Sequence, residues 1–343
     1  MELSRTINSD KRYYLDENTI ENAASFLQTM RVFNDAKIDL YNALYDQKYL
    51  VSGPLIDHAY PVFLKEKYKT NDYYNAAIYS AASGSLSSQK ELKKYYSTTI
   101  TADLKTRDEK IQMIQEALDK KKAVKNSIRI YRKDGRWVTP YPRCQLKVKG
   151  LMIVLFNKTI VKLDEYERSV EADIRKLKTR LALVTEARKR KEKKLENIKN
   201  LPPERIVFGG KKLYSEKDTV GIKKSAEDNK TSQKALKEWK QEFFEKRHQS
   251  MALPGRHTSK YGNFLCKYDG KDLSVTCIDG ITTVFHDFKL PRYNEAFQNN
   301  FTCKPEDRQS ICYNFTVKRD RKNRQYIIVS VTMKLQAYEN SYY

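Results

Sequence analysis

The sequence predicts an α+β protein, a helical bundle with a long basic helical arm attached to or inserted into a small antiparallel β-barrel. Three observations predict it. Apolar residues recur at threes and fours through residues 20–124 and again through 157–200. Beyond Tyr261 they alternate instead, with turn signals at short, regular intervals. The 343-residue chain also carries 66 Lys and Arg against 43 Asp and Glu, a net charge of +23 with a pI near 9.5.

The first 16 residues are polar, and Tyr13-Tyr14-Leu15 marks the candidate for a first barrel strand. From Ile20, the positions Ala23, Ala24, Leu27, Met30, Phe33, Ile38, Tyr41 and Leu44 draw one helical stripe, capped by Asp16 or Asn18 and ended by Gly53-Pro54. A second helix covers 73–86 with Tyr74, Ala77, Ile78 and Ala81 inward, and residues 92–96 extend it or begin another. A third, over 108–124, buries Ile111, Ile114 and Leu118 and ends at Lys120-Lys121-Lys122, where cations suit the negative end of the helix dipole.

Between 127 and 156 the texture changes. Ser127-Ile128-Arg129-Ile130-Tyr131 alternates, Asp134-Gly135 reads as a hairpin turn, and 145–150 alternates again, a small β excursion. Residues 157–200 form the longest helical pattern. Its seam, Ile160, Leu163, Val170, Ile174, Leu177, Leu181 and Val184, is coiled-coil-like. It ends in Arg188-Lys189-Arg190-Lys191-Glu192-Lys193-Lys194, with one acid in seven, the pattern of a backbone clamp for RNA or DNA. The closing strands are 273–278, 281–290, 311–318 and 326–335, divided by Asp279-Gly280 and a basic turn at 319–324, as in a meander or small barrel.

A charge of this size repels itself, so it implies a polyanionic partner, nucleic acid before an anionic membrane surface. No apolar leader core opens the chain, and the longest apolar run, 151–156, is far short of the ~20 residues that span a bilayer. An odd five cysteines point to a reducing, intracellular compartment, the nucleoid or nucleus included. None forms C-x-x-C, and the four histidines never fall at i, i+3 or i+4, which argues against a zinc site. There is no dinucleotide fingerprint, P-loop, H-E-x-x-H or G-x-S-x-G, and no carboxylate pair on an apolar strand. Neither an active site nor a cofactor is expected.

The stretch 202–263 organises the rest. A β-like run at Arg205-Ile206-Val207-Phe208 breaks at Gly209-Gly210-Lys211-Lys212-Leu213; a Lys-rich loop, a helix at 237–247 and the loop Leu253-Pro254-Gly255-Arg256 to Lys260-Tyr261-Gly262-Asn263 follow. Glycine beside cations lets a backbone approach a phosphate closely; the same residues also make ordinary turns. The short polar residues Asn75, Ser80, Ser83, Gln89 and Lys90 on the second helix have the size to enter a DNA groove, or they form a solvated face.

Ile206 to Leu213, Glu238-Trp239-Lys240, Lys246-Arg247-His248-Gln249 and the 253–263 loop together resemble the N-terminal half of the TnpB/OrfB proteins. Asp72 to Leu92 resembles the helical recognition region of the same family of transposon-encoded, RNA-guided nucleases related to type V CRISPR effectors. The resemblance covers residues 20–335. It implies a helical recognition lobe over 17–200, with the β excursion at 127–156, and a wedge-like barrel over 201–343 that carries a basic loop and a helix at 232–250. By that likeness Asn75, Ser80, Ser83, Gln89 and Lys90 face target DNA. Arg188, Lys189, Arg190, Lys211, Lys212, Trp239, Arg247, Arg256, Lys260, Tyr261 and Asn263 hold a structured guide RNA or its heteroduplex, base pairing being left to read sequence. The family's ribonuclease-H-like catalytic domain follows the barrel, and this sequence stops at Tyr343. Binding without cutting is therefore expected, with magnesium needed only if a separate C-terminal nuclease chain supplies catalysis. Two rivals remain at this point: the first half of a split endonuclease, and a coiled-coil adaptor built on the 157–200 arm.

Overall fold

In chain order the elements are β1 (Glu2–Asn8), β2 (Tyr13–Tyr14), β3 (Ile20–Glu21), α1 (Ala23–Tyr45), α2 (Ala59–Tyr68), α3 (Asp72–Asp134), β4 (Lys147–Lys149), β5 (Met152–Val154), β6 (Ile160–Lys162), α4 (Leu163–Asn200), α5 (Lys211–Ile222), α6 (Asn229–Arg247), β7 (Ser250–Leu253), β8 (Cys266–Tyr268), β9 (Leu273–Thr276), β10 (Thr282–Phe285), α7 (Asn294–Thr302), β11 (Cys312–Arg319) and β12 (Gln325–Gln336). They come from a computed structural model that describes residues 2–50, 59–155, 157–222, 229–291 and 293–336. The fold is α+β, and it divides into two compact units, Met1–Ser88 with Glu204–Tyr343, and Gln89–Pro203. No described helix is long and apolar enough to cross a membrane.

The first unit holds two antiparallel sheets. One has the order β1-β12-β11-β7, with β2 also paired to β12; the other runs β3-β10-β9-β8. Helix α1 packs between them because Phe26, Met30, Phe33, Leu40 and Tyr41 recur on one side, all nearly inaccessible. Phe26 meets Phe285 of β10 at 5.2 Å and Phe315 of β11 at 4.9 Å, both edge-on, so helix and both sheets share one aromatic core. Among the described residues the ladder does not close into a barrel. The helical-lobe expectation for α1 gives way here: its stripe belongs to the sheets. Its first turn follows Asn22 in the left-handed region, whose amide donates to Thr282 O (2.9 Å), so neither Asp16 nor Asn18 is the cap. Gly53 and Pro54 lie outside the described residues.

The second unit is a helical hairpin. Residues 89–134 of α3 run antiparallel to α4, as the cross-pairs show: Lys191–Asp103 (3.0 Å), Lys121–Asp173 (2.6 Å), Lys125–Glu171 (2.6 Å) and Arg132–Glu167 (2.7 Å). Between the helices lies the sheet β4-β5-β6. Ile153 of β5, fully buried, joins Val124, Ile128, Leu163 and Val170 in a small core.

Several sequence expectations are corrected here. The helices expected at 73–86 and 108–124 are one, α3, of 63 residues. It runs through 127–131, where a strand was expected, because Val124, Ile128 and Tyr131 also fall at helical spacing and pack on the hairpin core. Gly135 at φ +63° ends that helix by donating to Tyr131 O (2.9 Å), so Asp134-Gly135 is a helix terminus and not a hairpin turn. The pattern 157–200 loses its first residues to β6, since Ile160 to Lys162 pair with β5. Arg205 to Phe208 join no sheet; Ile206 N donates to Tyr41 Oη (3.0 Å), and the described parts of the Lys-rich loop expected after Leu213 are helical, in α5 and the start of α6.

Candidate nucleic-acid interface

Asn263 sits at the centre of the glycine loop and is 2 % exposed. Its amide nitrogen donates to the carbonyls of Leu253 (3.1 Å), Pro254 (3.2 Å) and Ile311 (3.1 Å), and its oxygen accepts from Leu265 N (2.9 Å) and Cys266 N (3.1 Å). Every hydrogen-bonding group of the side chain is engaged within the protein, which removes it from the ligand-contacting set. Gly255 and Gly262 serve the same knot. A Cβ on Gly255 would lie 2.2 Å from Ile311 N, and one on Gly262 would lie 2.7 Å from Gln309 O. The close backbone approach expected for a phosphate is made by the chain to itself. What the knot displays outward is Arg256, His257 and Lys260, all exposed, with Tyr261 half-buried at 6.4 Å from Phe301.

The same knot does meet the start of α3. Tyr73 stacks on Phe264 at 4.6 Å with ring planes 20° apart. Ala76, Ala77 and Ser80 line a cleft of about 220 Å³ with Pro254, Gly255, Arg256 and Asn263. Three of the sequence candidates, Ser80, Arg256 and the internally bonded Asn263, are thus brought to one cleft. Asn75 is not free to join them, because its amide donates to Pro61 O (2.9 Å), and Ser83 Oγ donates back to Tyr79 O (2.7 Å) within its own helix.

The Gly209-Gly210 turn likewise serves packing. Both residues take positive φ, and a Cβ on Gly209 would lie 2.8 Å from the Phe243 ring. Trp239 stacks on that ring at 5.4 Å, 10° from parallel, and donates from Nε1 to Leu213 O (2.7 Å), so it fastens α6 to α5. Lys211 is exposed and paired with Glu204; Lys212 is exposed without an ion pair among the described residues. Arg247 is half-buried beside Asp39. Burial pushes that carboxyl up, but hydrogen bonds from Lys67 and Tyr68 and the charges of Lys67 and Arg247 hold it below its ordinary value. Arg247 thus supports a charge cluster at the surface of the first unit.

In the second unit Gln89 is buried and Lys90 exposed. The basic run on α4 is less available than it reads. Arg188 bonds Asp108 and Glu192, Arg190 bonds Glu186 (3.2 Å), and Lys191 bonds Asp103. Lys189, Lys193 and Lys194 are exposed without ion pairs among the described residues.

A further set of unpaired cations lies in the cap between the two long helices. From Gly135 to Leu163 the chain has no Asp or Glu, and it carries Arg136, Arg143, Lys147, Lys149, Lys158 and Lys162. All six are exposed and none forms an ion pair among the described residues. The sequence reading passed over this cap because its cations are spread singly; the missing acids were the signal, legible by counting. The charge of the whole chain follows the same division. The hairpin unit holds 31 Lys and Arg against 15 acids, a net +16, and the other unit 35 against 28, a net +7.

All five cysteines are free thiols, and among the described residues no three His, Cys, Asp or Glu side chains gather as metal ligands. No family model, no curated protein and no solved structure matches this chain.

Proposed function

We propose that this chain is a nucleic-acid-binding protein of a reducing, intracellular compartment, acting as the recognition and wedge part of a TnpB-like, RNA-guided, transposon-associated system. In that role it holds a structured guide RNA and target DNA, and any cutting falls to a separate magnesium-dependent nuclease chain. The observation that carries the binding is the +16 net charge of the hairpin unit, whose cap has six exposed cations and no acid. Cations in excess of the fold's own ion pairs are what phosphate neutralisation requires. The TnpB-like form of the role rests on the sequence resemblance alone.

The coiled-coil adaptor is less well supported. Part of the seam it needs, Leu163, Val170 and Ile174, packs with Val124 and Ile128 of α3 in the same chain, and Asp173 and Arg188 beside it pair with α3.

Filter binding of a structured RNA and of duplex DNA at 50 mM and 200 mM salt tests the proposal. Neutralising 6–10 phosphates lowers affinity by about 10³–10⁵ over that range. An affinity that does not change with salt overturns it.

A further inference from the structure

The three-stranded sheet of the cap has one face inward and one face that nothing among the described residues of its unit covers. Side chains alternate along a strand, so the burial of Ile153 turns Met152 and Val154 outward. The register places Met152 opposite Lys149 on one side and Lys162 on the other, while Lys147 and Ile160 flank Val154. Gly150 at φ +57° and Leu151 are the two central residues of the β4–β5 turn, a type II′ geometry that needs glycine first. The apex therefore projects Leu151, 81 % exposed, with Met152 and Ile160 at 37 % and 59 %. Aliphatic side chains left this open are costly to solubility and mark a contact surface.

We propose that this apex is a wedge for duplex DNA: the lysines of the ribbon seat on the backbone while Leu151 and Met152 enter a groove and unstack a base step. The inference rests on the nucleic-acid reading above and adds a mode of contact to it. A β-ribbon fits a groove of B-form DNA, and Leu, Ile and Met are side chains that insert between base steps of a bent duplex. Six unpaired cations without an acid supply the charge complementarity. An anionic membrane is the weaker match. Trp137 and Tyr141, which favour a lipid interface, pack against the small core, and the three open aliphatics bury less hydrocarbon than one acyl chain, itself a marginal anchor.

The test uses the full chain and a DNA duplex with 2-aminopurine in place of adenine at successive steps. Binding by the wild type is expected to raise 2-aminopurine fluorescence at one or two adjacent steps. The double variant Leu151→Ala/Met152→Ala is expected to lose that rise while keeping the salt slope. The triple variant Lys147→Gln/Lys149→Gln/Lys162→Gln is expected to reduce the slope by roughly three. All five positions lie at the turn or on the outer face of the sheet, so thermal melting should match the wild type and certify folding. Salt-dependent binding without a fluorescence rise, or a rise that survives the double variant, overturns the wedge and leaves the proposed function standing. Sedimentation with phosphatidylserine vesicles that depends on Leu151, with DNA binding unaffected, also overturns it. Failure to bind RNA or DNA at any salt removes the proposed function itself.

Discussion

The sheet unit and the hairpin unit use polar side chains in opposite ways. In the first, a broad aromatic core is closed by polar residues and glycines that have work to do inside: Asn263 bonds five backbone groups, and Gly255 lets two backbones touch. In the second, the core under the cap sheet is five buried residues, Val124, Ile128, Ile153, Leu163 and Val170, with Ile100, Ile114 and Leu118 buried further along α3, and the helices are matched along their length by ion pairs. There the cations outnumber what the matching uses. A motif is thus informative about a ligand only after the backbone's own needs are subtracted, and the subtraction comes out differently in the two units.

The most disruptive change should therefore be in the glycine loop. Gly255→Ala sets a Cβ 2.2 Å from Ile311 N and 2.4 Å from Ile311 O, backbone atoms that cannot yield. A loss above about 4 kcal/mol is expected, with much of the protein insoluble. Asn263→Ala leaves several buried backbone groups without partners and should cost about 3–5 kcal/mol in urea unfolding. Either variant folding normally while losing only nucleic-acid affinity would return the loop to the ligand-binding set.

Charge removal in the hairpin should do the reverse. Lys189→Gln/Lys193→Gln/Lys194→Gln is expected to lower the salt slope by up to about three with no change in melting. Arg188→Gln breaks the pair with Asp108 and should leave the melting temperature nearly unchanged, because the pair is solvent-screened. Equal effects of the two on RNA affinity would mean that the run acts as one electrostatic block and that its internal pairing does not matter.

These contrasts also explain what the sequence could show. The apolar stripe of α1 and the alternation of β9 to β12 were legible because periodicity records which face is buried. It does not record against what, so the stripe of α1 was read into a helical lobe. The strand β1 was harder to see: Glu2–Asn8 is polar on one side, and its partner β12 lies more than three hundred residues away by register. Ile128 and Ile130 fit a period of two as well as Val124, Ile128 and Tyr131 fit a helix, and tertiary packing on Val170 decided it. Of the candidate site, Lys260 and Arg256 are exposed in the fold, whereas Trp239 and Asn263 were indistinguishable from ligand residues until their partners Leu213 and Ile311 were in place.

Lys37 separates the two kinds of unpaired cation. It is a half-buried lysine on α1 that donates to Asn34 Oδ1 (2.5 Å) and lies 5.3 Å from the Phe208 ring, and burial lowers its pKa to about 8. Between pH 8 and the unfolded value the unfolded chain holds more protons, so stability rises with pH across that window. Below pH 8 the full penalty stands. Lys37→Met should therefore stabilise the protein by about 2 kcal/mol at pH 7 and by little at pH 10, read by urea unfolding at both. A gain that is the same at both pH values would mean that packing, not charge, is responsible.

The smallest effect tests the sheet unit's ion clusters. His286 is bonded at Nδ1 to Asp272 (3.1 Å) and at Nε2 to Glu21 (3.0 Å), which joins β3, β10 and the turn before β9. The bond to Asp272 raises its pKa; burial opposes this and the bond to Glu21 adds to it. A raised histidine contributes stability that is complete below the unfolded value of about 6.5 and is lost as pH climbs through the folded one. His286→Gln, which keeps a donor but not the charge, should lower the melting temperature slightly at pH 5.5 and not at pH 8.5. Because the cluster is solvent-exposed, the difference should also shrink in high salt. A deficit as large at pH 8.5 as at pH 5.5 would assign His286 a packing role and leave the two carboxylates without a charged partner to explain them.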